Sequence, residues 1–229
     1  MPVTPAWRGD TAIDGMRQRV FTSAPGVRDV PAVLWTPEDA SGPLPLVLIG
    51  HGGWGHKLDD SRLDLARRYI EAGFAAAAID GPWHGERAGS RPEAWTDAEA
   101  DLMREDWRAT LDELLTLPEV DEARIGYGGV SMGTIFGLPF VAGDERIRAA
   151  VLGLAPGEPR LLAEASRLAC PVLFLVQWHD ELFPRDTTLA LFDAIASSDK
   201  RLLAFPGRHA EAPEAAREAS TRFLMQALS

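Results

Sequence analysis

The sequence predicts an α/β fold, a mostly parallel, doubly wound sheet of about eight strands with helices on both faces. Two observations carry this. Short apolar runs alternate along the chain with longer amphipathic segments, the arrangement that lays helices over a parallel sheet. Several runs also empty directly into loops rich in glycine or polar residues, at 50–55, 129–133 and 178–181. The C-terminal ends of strands are where such sheets carry their chemistry.

Taken in order, 17–23 and 30–36, separated by Ala24-Pro25-Gly26, read as an antiparallel pair opening the sheet. The runs 46–49, 75–79, 125–128, 149–154, 172–176 and 202–205 read as parallel core strands, being short, continuous and apolar. Helical segments fall between them at 61–72, 97–117, 132–142, a short stretch near 161–168, 187–195 and 213–228. Thr96-Asp97-Ala98-Glu99 makes a capping box for the second helix, and Pro213 belongs to the first turn of the last. No repeat, low-complexity tract or linker interrupts the alternation, so residues 1–229 read as one domain.

Composition excludes several functions. Thirty-four acidic against 23 basic residues leave a formal charge of -11, which disfavours nucleic acid and anionic membranes as partners. The arginines, Arg62, Arg67 and Arg68 among them, are interspersed with acids and read as solvated, ion-pairing helix faces. No apolar run reaches the length of a bilayer span, and the N-terminus, with Asp10, Asp14 and early prolines, lacks a basic and an apolar leader region. A cytoplasmic location is expected. The single cysteine, Cys170, rules out an internal disulfide and reads as a small core residue.

Gly129-Val130-Ser131-Met132-Gly133 ends an apolar run and starts a helix. A serine hydroxyl is a poor nucleophile on a relaxed loop. A sharp strand-to-helix turn exposes it, and glycines two positions either side leave room for the strained backbone. Downstream, the run 171–177 empties into Trp178-His179-Asp180-Glu181, and the run 201–205 leads through Pro206-Gly207-Arg208 to His209. Upstream, 46–49 opens into Gly50-His51-Gly52-Gly53-Trp54-Gly55, whose backbone N–H groups suit a developing oxyanion. Serine, acid and histidine thus follow one another in the order one class of hydrolase uses.

With these segments, and Asp80-Gly-Pro-Trp-His84-Gly-Glu-Arg87, the chain resembles the α/β-hydrolase superfamily, in the branch of dienelactone-hydrolase-like and prolyl-oligopeptidase-like esterases. The resemblance runs from about Val20 to the C-terminus and implies the α/β-hydrolase fold. It implies Ser131 as nucleophile, His209 as general base and Asp180 as acid, with Glu181 beside it as the alternative. Strict dienelactone hydrolases carry cysteine where this chain has Ser131, which points to ordinary esters. Gln177 stands where a glycine is common three residues before the acid. His51 matches the oxyanion-loop histidine, and His84 reads as a loop organiser.

The reaction expected is acyl transfer to water through an acyl-enzyme, with the N–H groups of Met132 and Gly53 holding the oxyanion and Trp54 as the alternative second donor. Only a short helix lies between 154 and 171, so a cap is minimal or absent. Trp54, Trp83 and Trp178 are candidate pocket walls for a short acyl group, and Trp95 lies in the longer 81–96 loop. A small-molecule ester is the expected partner of a monomer or homodimer. No cofactor is expected, and a metal site from His51, His56 and His84 is disfavoured because no pair has the helical spacing of hydrolytic zinc sites. The alternatives are a thioesterase or small peptidase with the same triad, or a non-catalytic binding protein on this scaffold.

Overall fold

The computed structural model describes residues 4–89 and 96–229. Nine strands form one sheet: β1 (Ala6–Ile13), β2 (Met16–Ser23), β3 (Val30–Pro37), β4 (Leu44–Ile49), β5 (Ala75–Ile79), β6 (Val120–Gly128), β7 (Ile147–Gly153), β8 (Val172–Gln177) and β9 (Lys200–Phe205). Their order is β1-β2-β3-β5-β4-β6-β7-β8-β9. β2 is antiparallel to β1 and β3, and β3 to β5, while β5, β4, β6, β7, β8 and β9 run parallel. The six expected parallel strands and the antiparallel opening pair are all present.

β1 is the added ninth strand. Its six central residues are exposed and a bulge interrupts its pairing near Gly9, so it carries no apolar alternation to read. β9 differs from expectation in the other direction. Its run 201–205 resembles a buried strand, yet it is largely exposed because it closes the sheet with a single neighbour.

The helices are α1 (Asp60–Glu71), α2 (Asp97–Leu114), α3 (Met132–Ala142), α4 (Pro159–Ala165), α5 (Arg185–Ala194) and α6 (Glu214–Ala227). Alternation within each strand feeds two cores. Leu46, Leu48, Tyr127, Leu152 and Phe174 face α2 to α5, whereas Val47, Ile49, Val151 and Leu175 face α1 and α6. The Thr96–Glu99 capping box starts α2 as expected, while Pro213 serves α6 as its N-cap rather than as a residue of its first turn. Residues 154–171 hold only α4.

After β4 the chain crosses to β5 on one side and returns as β6 on the other, so a crevice opens above β4 and β6 where the strand order reverses. The loops 50–55 and 129–133 meet there. Among the described residues no helix is long and apolar enough to cross a membrane. Arg67 and Arg68 form exposed ion pairs with Asp14, Asp64 and Glu214, as read from the sequence. Arg62 also pairs with an acid, Asp59 at 3.7 Å, but it is not solvated: its side chain is largely buried, and burial lowers its affinity for a proton. Cys170 packs against the α2–α5 core, and burial pushes its thiol up to about 11.

Candidate active site

Ser131 stands between β6 and α3 with φ 59° and ψ -124°, a strained conformation for a residue with a side chain. Three contacts hold it. Its N–H donates to Gly153 O at 3.0 Å, and the Thr134 hydroxyl accepts the Gly153 N–H at 2.8 Å while lying 2.8 Å from Gly129 O. Beneath the turn, the Tyr127 hydroxyl donates to Gly133 O at 2.6 Å. The flanking glycines permit this closeness: a Cβ on Gly133 would lie 3.3 Å from the Gly50 backbone, and one on Gly129 2.8 Å from the Tyr127 hydroxyl. Gly50 and Gly137 press on the same phenol, where a Cβ would come within 2.3 and 2.0 Å of its oxygen.

The fold brings Ser131, His209 and Asp180 into one hydrogen-bonded chain. His209 Nε2 lies 2.9 Å from Ser131 Oγ, and Nδ1 lies 2.7 Å from Asp180 Oδ2. A carboxylate only accepts, so Nδ1 carries the proton and Nε2 presents its lone pair to the hydroxyl. Asp180 Oδ1 accepts the N–H groups of Leu182 and Phe183 at 2.8 and 3.0 Å, which fixes the carboxylate plane. Glu181 is used differently. Its Oε2 accepts the His209 backbone N–H at 2.9 Å, and that bond holds its carboxyl below the usual range. The His209 loop is tied to the Asp180 loop by His179 N–H on Gly207 O at 3.0 Å and Trp178 N–H on Phe205 O at 2.8 Å.

Two histidines support the glycine-rich loop. His51 Nδ1 donates to Gly52 O at 2.9 Å and Nε2 accepts the Gly81 N–H at 2.9 Å. Desolvation lowers its pKa to about 4, so the ring is neutral in the tautomer these bonds require. His84 places Nε2 2.9 Å from Gly53 O and Nδ1 2.7 Å from Pro82 O, with its ring centroid 5.0 Å from that of His51. The loop is further anchored from below, where the buried Lys57 ammonium bonds Asp80 at 2.7 Å and Glu86 at 2.5 Å. Bonds from Arg8 and Lys57 hold the Glu86 carboxyl down at about 2. His56 and His179 are exposed.

Of the candidate aromatic walls, Trp54 stands edge-on to His209 with ring centroids 6.2 Å apart and is 76% exposed. Trp178 is also exposed and lies 4.2 Å beneath the Arg185 guanidinium. Trp83 is half-buried at φ 60°, and Trp95 lies outside the described residues. Met132 opens α3, next to Ser131. Sequence reasoning missed Phe183, whose ring lies 5.3 Å from that of His209, and the Thr134 clamp. The apolar pair Leu182-Phe183, two and three residues after Asp180, was the available signal for the first; nothing local marked the second.

The crevice at the strand reversal, with a strained serine at one rim and a histidine loop after the last strand at the other, defines an α/β-hydrolase fold. Residues 30–222 match the dienelactone hydrolase family, and the chain belongs to that family. It is 32% identical over 136 residues to the uncharacterised protein PA2218 of Pseudomonas aeruginosa, and 31% identical over 103 residues to the uncharacterised protein YcjY of Escherichia coli. These stretches cover 59% and 45% of this chain, and the chain spans about a third of the length of either relative, 35% and 32%. Among solved structures, a cold-adapted esterase from an Arctic intertidal metagenomic library is 34% identical, with a TM-score of 0.87 over 98% of this chain and 100% of that one. An acetyl xylan esterase from Paenibacillus sp. R4 shares the fold at 19% identity, with a TM-score of 0.80 over 98% of this chain and 88% of that one.

Proposed function

We propose that this protein is a serine carboxylesterase that hydrolyses small, short-acyl esters. The observation that carries the reading is the Ser131–His209–Asp180 hydrogen-bonded chain, with its nucleophile on a strained turn. The likeness to the cold-adapted esterase over both whole chains supports the reaction class. Ser131 Oγ attacks the ester carbonyl while His209 Nε2 takes its proton. Asp180 keeps the other ring proton on Nδ1 and stabilises the imidazolium that forms. The oxyanion is held by the N–H groups of Met132, at the positive end of α3, and Gly53, whose loop the two histidines brace. The alcohol leaves with the proton from His209. Water, deprotonated by the same ring, then releases the acid from Ser131.

The test is turnover of a panel of p-nitrophenyl esters by the wild type and Ser131→Ala. The variant is expected to fold normally and to lose turnover by three orders of magnitude or more, retaining only what the oxyanion site and binding supply. Near-wild-type activity in purified Ser131→Ala would overturn the assignment.

A further inference from the structure

Between the sheet and helices α1 and α6, under the loops that carry His209 and Asp180, lies a half-enclosed cavity of about 140 Å³. Neither Ser131, Asp180 nor His209 lines it. Its walls are mostly apolar, with Leu65, Val151 and Leu175 among them, and it carries two guanidinium groups, Arg62 and Arg217, but no carboxylate. Both guanidiniums are paired with carboxylates outside the walls, Arg62 with Asp59 at 3.7 Å and Arg217 with Glu214 at 2.9 Å.

Two side chains there are left with unused hydrogen-bonding capacity. Gln177 is 3% exposed, and neither its carboxamide oxygen nor its nitrogen has a partner within the protein. Buried amides are ordinarily paired, because desolvating one without compensation costs about 1–3 kcal/mol. Arg62 bonds Gly50 O and Ser61 Oγ through its terminal nitrogens, but its buried Nε–H is unmatched, with Asp59 3.7 Å away. Arg217 is already held by Glu214 at 2.9 Å.

We infer that this cavity is a second binding site, for a small monocarboxylate with a short apolar tail. The carboxylate supplies the acceptor that Arg62 Nε–H and the Gln177 amide nitrogen lack, and charge-assisted bonds of this kind are the strong ones. The tail replaces water against Leu65, Val151 and Leu175. Size sets the class, since an apolar cavity of about 150 Å³ takes a molecule of about six heavy atoms such as benzene. Butyrate has that size. A site for this ligand belongs to this chain's own residues, because Gln177 occupies a position where a glycine would leave no amide.

The experiment is titration of sodium butyrate into methyl-labelled protein, at matched ionic strength with sodium chloride, followed by NMR and by calorimetry. Shifts and ligand contacts are expected at the Leu65, Val151 and Leu175 methyl groups. Butyramide, the neutral isostere, and Arg62→Met should each bind about tenfold more weakly, the loss expected for one charge-assisted hydrogen bond. Gln177→Leu should weaken binding several-fold and decides the matter if Arg62→Met does not fold. The inference is overturned by shifts confined to the surroundings of Trp54 and His209, by no binding, or by butyramide binding as well as butyrate. None of these readouts depends on Ser131 being a nucleophile, so the site and the esterase reading fail separately.

Discussion

Asp180 and Glu181 are adjacent in the chain yet hold His209 at different atoms, the first taking the ring Nδ1–H at 2.7 Å and the second the backbone N–H at 2.9 Å. One sets the tautomer; the other sets where the loop sits.

Asp180→Asn and Glu181→Gln therefore differ in effect. An asparagine amide offers Nδ1 a donor as readily as an acceptor, and ester turnover is expected to fall by about four orders of magnitude. Glu181→Gln keeps a carbonyl acceptor for the His209 N–H and should cost less than about tenfold. Parallel kcat measurements check this, and the reverse ranking would move the acid to Glu181.

Acyl preference is expected to peak at about two to four carbons. Only α4 stands where a lid would form, and each methylene left unburied forgoes about 0.8 kcal/mol. Trp54, edge-on to His209, is the side chain to remove: Trp54→Ala should shift kcat/KM toward longer chains. A wild type that prefers chains of about ten carbons would refute the short pocket.

Stability should fall as pH drops through the window set by His51. Its folded pKa, about 4, lies below the ordinary value of 6.5, so between these values the unfolded chain binds more protons and unfolding gains. The contribution is fully present above pH 6.5 and lost as pH falls toward 4, amounting to about 3 kcal/mol. Chemical denaturation across this range should show the slope, and His51→Gln should flatten it.

Lys57→Met should destabilise the fold by about 3–5 kcal/mol, because it strands the fully buried Asp80 carboxylate with backbone donors alone. A shift in the denaturation midpoint measures it. Asp80 also presses on Gly85, where a Cβ would lie 2.3 Å from its oxygen at φ +53°, so Gly85→Ala should be comparably harmful.

The serine turn and the strand-end loops were legible because strain and close approach leave glycines behind in the sequence, as at Gly129 and Gly133. The six parallel strands were legible because burial on both faces makes continuous apolar runs. β1 was not, since an exposed edge strand asks nothing of its side chains, and β9 was read as buried because leucines on an edge look like leucines in a core. Arg62 was read correctly as ion-pairing, with Asp59, but wrongly as solvated: helical spacing shows which way a position faces, but not that a cavity waits beneath it. Phe183 and Thr134 act through contacts between segments, which no local pattern records.

Tyr127 also constrains how this sequence can drift. Gly50 and Gly137 come from two segments, yet each is kept bare chiefly by the same phenol ring, whereas Gly129 is also closed off by Gly133 O at 2.9 Å. Neither Gly50 nor Gly137 can acquire a side chain while the tyrosine remains, and a smaller residue at 127 would surrender the bond to Gly133 O before either glycine could change. The permitted replacements are therefore ordered. Homologues that have lost Gly50 or Gly137 are expected to have altered position 127 first, and a library randomising these three positions together should recover combinations that single substitutions never reach.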